Sequence, residues 1–225
     1  NTIGGDLHIT NDGTFTTGTN AVLTISGALS QDGTGNSEIG ANISANDGIA
    51  FNTAITLKGD ANEEITFSTD GATGSDITIS GNLTNTSGES LVFNSGSAGN
   101  ISVTGDIGDL GSGGLTITNA NDATFTGSVT AASFTQDAGA GTTTFSDALA
   151  LSGDLDFTGN DLTLNGGPGN TIGGDLRIAN DGTFTTGTNA DLTIDGELIQ
   201  NGTGDNTIGA DITADKGVNI ATDIT

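Results

Sequence analysis

Cysteine, methionine, tryptophan and tyrosine are absent from the 225 residues, and proline occurs once. Without Cys there is no disulfide framework and no thiolate chemistry, and one His gives a zinc site or a nucleophilic triad nothing to build on. Basic residues are almost missing. Lys58, Arg177 and Lys216 stand against 28 acids, for a formal net charge of −25. A chain with so few cations cannot displace counterions from a phosphate backbone, which excludes nucleic acid as a main partner and disfavours anionic membranes. No apolar run approaches the ~18 residues that cross a bilayer, so membrane insertion is not expected. No signal peptide is visible in the sequence, and in a window from a longer chain that absence decides nothing. Phe supplies all nine aromatics, and hydrophobic residues make up 32% of the chain, enough for a thin core with one or two side chains per strand. High charge with low hydrophobicity favours disorder. Against it stands the regular alternation of apolar and polar residues.

What is present is a repeat. NTIGGDLHITNDGTFTTGTN opens residues 1–56, and NTIGGDLRIANDGTFTTGTN opens residues 170–225. Roughly two thirds of the positions agree when Asn1 is aligned on Asn170. A single globular domain has no reason to restart itself. Residues 1–169 read as one long unit and 170–225 as the start of the next, in one continuous array, and the chain as a window of something longer.

Inside the long unit runs a shorter period. Apolar pairs two residues apart recur, as in Leu7/Ile9, Leu23/Ile25, Ile77/Ile79, Leu91/Phe93 and Leu155/Phe157. Each pair places its side chains on one face of a short strand. Between them lie Gly, Asn and Asp turns such as NDG, SGN and SGD, where φ > 0 is tolerated. Corners chosen by spacing (Leu7, Leu29, Ile55, Leu83, Ile107, Val129, Leu155, Leu176, Leu198 and Ile224) step by about 24 residues and enclose three strands each. That layout predicts an all-β parallel solenoid of about nine coils, because one coil cannot bury its apolar side chains and a stack can. The expected core is Leu7, Ile9, Phe15, Ile25, Leu83, Phe93, Val103, Ile117, Phe125, Leu155, Phe157, Leu176, Ile178 and Phe184, with Leu7, Leu83 and Leu155 in one column. A β-sandwich also uses many short strands, but it brings longer strands and larger core aromatics than these.

Runs such as SGDLDFTGNDLTLNG (152–166), GGLTITNANDATFTGSV (113–129) and GGDLHITNDGTFTTGTN (4–20) resemble filamentous-haemagglutinin-type adhesins, autotransporter passengers and giant repetitive bacterial surface proteins. The resemblance implies a right-handed parallel β-helix, exported to the cell surface and used for adhesion or as a fibre.

Few residues suggest chemistry. His8 lies between Leu7 and Ile9 and points outward, and the second copy has Arg177 there. Asp154, Asp156 and Asp161, and separately Asp106 and Asp109, are close in sequence, and Asp154 and Asp156 share one face by alternation. Acid–base catalysis needs such carboxylates in a cleft, and no long loop suggests one. NGTGDNTI (201–208) resembles the calcium-binding nonapeptide of β-rolls, but Asn206 stands where the Asp ligand belongs. Carboxylates stacked one turn apart repel by about 0.9 kcal/mol in water, so columns of acids need staggering, protonation or cations. Calcium is the one cofactor these turns admit, with Asp12, Asp181 and Asp205 as its candidate ligands. Thr14/Thr16, Thr124/Thr126 and Thr183/Thr185 suggest a water-ordering ladder, though Ser, Asn, Asp and Lys58 interrupt it. Asn42, Asn82, Asn85, Asn100 and Asn201 begin glycosylation sequons.

The expected protein is a non-enzymatic segment of an extracellular bacterial filament. Its partner is itself, through the next repeat or another copy head to tail, with other fibres or cell-surface glycans as further partners. A rigid adhesin stalk is the alternative, and an ice- or carbohydrate-binding solenoid the minor one.

Overall fold

The computed structural model describes residues 1–60, 63–69, 75–108 and 110–225. Asp109 lies outside the described residues. Among them there is no helix, and the strands, two to five residues long, wind into three faces of parallel sheet. The first face has eleven strands, from Thr2–Ile3 to Gly217–Ile220. The second has ten, from Leu7–Ile9 to Asn206–Ile208. The third runs from Phe15–Thr17 to Ile212–Ala214 in groups of four and five strands, and single-residue bridges at Ile107 to Leu83 and Val129 join the two groups. The chain visits the faces in order, so each strand pairs with the one a full turn away. The result is a solenoid of about ten turns.

The turns average about 22 residues, slightly fewer than the corner spacing suggests. They also vary in length. The turn from Leu115 to its partner Phe134 is short, and the turn from Ile65 to Leu91 is long. This variation explains one correction. Leu7, Leu83 and Leu155 do not share a column. Leu7 lies on the second face, Leu83 on the third and Leu155 on the first. An apolar pair two residues apart looks the same on every face, so spacing alone steps from one face to the next between Leu29 and Ile55.

The interior is filled as the alternation requires. Ile25, Leu83, Phe93, Val103, Ile117, Phe125, Leu155, Phe157, Leu176, Ile178 and Phe184 are buried, each at most 2% exposed. Leu7, Ile9 and Phe15 are half-buried, because they belong to the first turn and have a neighbour on one side only. Two aromatic groups fill the lumen. Phe67 packs on Phe51 and Phe93 at centroid separations of 5.9 and 6.0 Å. Phe145 stacks on Phe125 at 5.0 Å, with Phe134 edge-on to both.

The long repeat carries a phase. The strand of Thr2–Ile3 lies on the first face, and its counterpart Asn170–Ile172 on the third. Leu7 pairs with Leu29 on the second face, and the equivalent Leu176 with Leu198 on the first. Phe15 pairs with Ser37 on the third face, and Phe184 with Asn206 on the second. Twenty-two strands and the bridge at Ile107 separate the two starts, which is seven and two-thirds turns. The second copy therefore makes the contacts of the first, set back by one face.

Candidate functional site

The acids are placed by the corners. An Asp or Asn just before an inward apolar residue accepts the N–H of the residue one turn on. Asp6 Oδ1 takes it from Ala28 at 2.9 Å, Asp76 from Asn100 at 2.8 Å, Asp106 from Ser128 at 2.9 Å and Asp122 from Thr142 at 2.8 Å. Asn42, Asn82 and Asn100 do the same for Thr66, Asp106 and Asp122. These bonds satisfy corner amides as the strand ladders begin. Three of the sequon asparagines thus serve as acceptors, and Asn85 donates its amide to the carbonyls of Glu89 and Leu110.

Repulsion along the corner columns is handled in two ways. Beside the second face the column reads Asp76, Asn100, Asp122, Thr142, Asp161, Thr183, Asp205, an acid on every other turn. Beside the first face three acids follow in consecutive turns, Asp154, Asp175 and Glu197. Here stands the only Arg of the chain. The Arg177 guanidinium donates to Asp154 at 2.9 Å, to Asp156 at 3.0 Å and to Asp175. Its hydrogen bond, with that of the Asp175 N–H, holds the Asp154 carboxyl below the usual aspartate range, and the carboxylates raise Arg177 further above its own. A depressed carboxylate contributes stability above its unfolded pKa and loses it as pH falls through the folded value. Arg177→Ala is therefore expected to unfold at lower temperature than the parent at neutral pH. Acid titration followed by circular dichroism should show the gap closing below the ordinary aspartate range.

Asp154 and Asp156 thus share an exposed guanidinium and no cleft. Asp161 lies apart and accepts the Thr183 N–H. His8 is exposed on the second face, bonded to Ser30 at 2.6 Å and beside Asp32 at 3.4 Å. Lys58 pairs with Glu38 at 2.7 Å.

The calcium candidates sit in separate, exposed turns. Asp12 accepts from Thr34 and Asp181 from the equivalent Thr203. Among the described residues no three His, Asp or Glu side chains converge on a metal position. In the turn at 201–205 the carbonyls face inward and are met by an amide. Buried Gln200 Nε2 donates to Asn180 Oδ1 at 2.7 Å, Gly204 O at 3.2 Å and Gly202 O at 3.4 Å. Thr222 closes the group on Gln200 Oε1 and Gly204 O. Gln31, Asn11 and Thr53 repeat it in the first copy. The network crosses three turns and ties them together. Sequence reasoning missed it; the signal was a Gln at the end of an apolar pair followed by a Gly-x-Gly turn.

One outward column is more regular than the sequence suggests. On the second face Thr78, Ser102, Thr124, Thr144, Thr163, Thr185 and Thr207 stand in register on successive turns. Thr207 and Thr225 hydroxyls are 3.3 Å apart. The column on one side mixes Thr142 and Thr183 with Asp161 and Asp205; on the other, Ser80, Thr104, Thr126 and Ser146 give way to Asn165 and Gly187, so the ladder is two hydroxyls wide over four turns only.

These features define a class, a repeat protein with the parallel β-solenoid fold. No protein family, curated protein or solved structure matches the chain.

Proposed function

We propose that this chain is a structural segment of an extracellular bacterial fibre, which stacks end to end and performs no catalysis. One observation carries the reading: a single apolar interior runs through the described turns, each turn burying the inward residues of its neighbours on three faces of parallel strands. A stack built this way propagates along its axis. The net charge of −25 opposes lateral clumping while leaving the axial contact available. The resemblance to haemagglutinin-type surface proteins supports the bacterial and extracellular assignments. Sedimentation and negative-stain microscopy over a concentration series are expected to show rods that lengthen without thickening. Particles of one length at every concentration would overturn the reading.

The stalk reading is favoured by a different observation. The outward faces carry short polar side chains, and their depressions are shallow, formed where Ala50 stands between Ser30 and Thr78 and Ala150 between Thr130 and Thr171. A rod of this kind spaces a binding domain without binding anything itself, and a glycan array with the purified chain, expected to be blank, tests it.

A further inference from the structure

Among the described residues Glu89 is the only ionisable side chain that is fully buried. Its Oε2 accepts the Ser87 N–H at 3.1 Å, and its Oε1 has no hydrogen-bond partner. A carboxylate taken out of water needs a partner for its charge, either a donor or a bound cation. The turn that carries it is tightly fixed. Asn85 Oδ1 accepts the Gly88 N–H at 3.0 Å, and Asn85 Nδ2 donates to Glu89 O and Leu110 O, both at 2.8 Å. Gly88 holds φ +82°. Gly113 of the next turn lies against the Glu89 carbonyl, where a side chain would collide with it.

A second carboxylate stands one turn below. Glu64 pairs with Ser90, and the Ser90 N–H donates to Glu63 O at 2.9 Å, so Glu63 and Glu89 follow one another on consecutive turns. Glu63 is half-buried, and its Oε2 accepts the Asp60 N–H at 3.0 Å. Both side chains flank the buried Gly59. A methyl added there would lie 3.2 Å from Glu63 Oε2 and 3.2 Å from Glu89 Cγ. The chain makes room at this corner: residues 58–63 connect the third face to the first, where the turn below uses only 40–42. Other acids on consecutive turns alternate with neutral residues or meet Arg177. This pair does neither. Lys58 is held by Glu38, Arg177 by Asp154, Asp156 and Asp175, and Lys216 stands just before the last strand of the first face.

We infer that Glu89 and Glu63 hold a divalent cation between two consecutive turns, and that the donor set fits calcium. The side-chain donors are carboxylate oxygens, with neither imidazole nor thiolate beside them. Ca²⁺ takes about six to eight oxygen ligands in a flexible shell that includes water, whereas Mg²⁺ demands a near-ideal octahedron. Two carboxylates on a half-exposed rim, completed by water, suit the first ion. The turns of Asp12 and Asp181 differ, because those carboxylates are exposed and already accept threonine hydroxyls.

The experiment strips the full chain with a chelator and titrates it with calcium chloride. Amide NMR shifts and the melting temperature are read, with sodium chloride at equal ionic strength as the control. The amides of Ser87, Gly88 and Ser90 are expected to shift and saturate with a dissociation constant of about 10⁻⁴–10⁻³ M, the weak end for calcium sites. The melting temperature should rise further than in sodium chloride. Glu89→Gln keeps an acceptor for the Ser87 N–H and removes the charge. It is expected to lose the saturable shifts and, without calcium, to melt no lower than the parent. Glu63→Gln should bind at least tenfold more weakly. Shifts that sodium chloride reproduces, or saturable calcium shifts that survive in Glu89→Gln, would overturn the inference.

Discussion

Phe145→Ala is expected to cost about 3–5 kcal/mol, the range for deleting a buried aromatic ring. Phe145 is 1% exposed, stacked on Phe125 at 5.0 Å and met edge-on by Phe134 at 5.1 Å. In a globular core, neighbours from several directions relax into such a cavity. In a solenoid the side chains facing the hole sit on strands of the same turn, as Phe134 does, or of adjacent turns, as Phe125 does, and each strand is held in place by its own backbone ladder. Thr144 N–H and C=O stay in register with Thr124 and Thr163 whatever fills the lumen. The cavity therefore persists and the cost falls at the upper end of the range. Chemical denaturation should show the loss together with a second feature. The turns on either side of Phe145 should exchange their amides sooner than the turns around Phe67, because stability in a repeat array is a sum of nearest-neighbour terms.

Gly204→Ala is the second large effect, and it acts through the backbone. The added methyl would fall on Gly182 O of the turn below, inside van der Waals contact, with Gly182 C and Asn180 Nδ2 close behind. Neither backbone atom can swing aside. The two turns must separate locally, and the Gln200 amide, which reaches both Gly204 O and Asn180 Oδ1, loses one partner or the other. A buried amide left without its acceptor costs about 1–3 kcal/mol, and overpacking adds about as much again. Gly35 stands in the same relation to Gly13 in the first copy. Thermal unfolding of Gly204→Ala beside the control Gly167→Ala, where a methyl meets nothing within 4 Å, isolates the effect. The control should melt with the parent.

Part of this architecture was legible in the sequence. The apolar pairs gave the strands, the Gly, Asn and Asp turns gave their ends, and the return of the opening stretch at Asn170 gave an array. The register was not legible, because turns of unequal length contain equivalent-looking pairs on three faces. A spacing average cannot tell a full turn from a turn and a third. For the same reason the phase of the long repeat was hidden. That Leu176 sits on a different face from Leu7 depends on counting every strand between them, including a single residue at Ile107.

The candidate sites were legible as residues but not as roles. Asp6, Asp106, Asp154 and Asp175 each sit in a Gly-Asp-Leu or Gly-Asp-Ile triplet, read from sequence as turns. Their carboxylates receive the amide of the following turn, a contact about 22 residues away in the chain. Arg177 stands at the place of His8 in the second copy, and in the fold it faces three acids from two consecutive turns, whereas His8 neighbours Ser30 and Asp32. The threonines of the second face were visible as scattered Thr-x-Thr pairs, and only the stacking order puts them in one line.

The absence of Cys makes the stacking directly measurable. Thr163 and Thr185 are outward neighbours in register on the second face, while Thr193 is outward on the third. Parallel neighbours lie about 4.8 Å apart, within the Cα separation of a disulfide, about 4.4–6.8 Å. The measurement is disulfide formation under mild oxidation, read by mass spectrometry, in Thr163→Cys/Thr185→Cys and in Thr163→Cys/Thr193→Cys. Turns stacked in this register require the first pair to close and the second to stay reduced. Closure of the second pair and not the first would contradict the solenoid register, and with it the account of the rod.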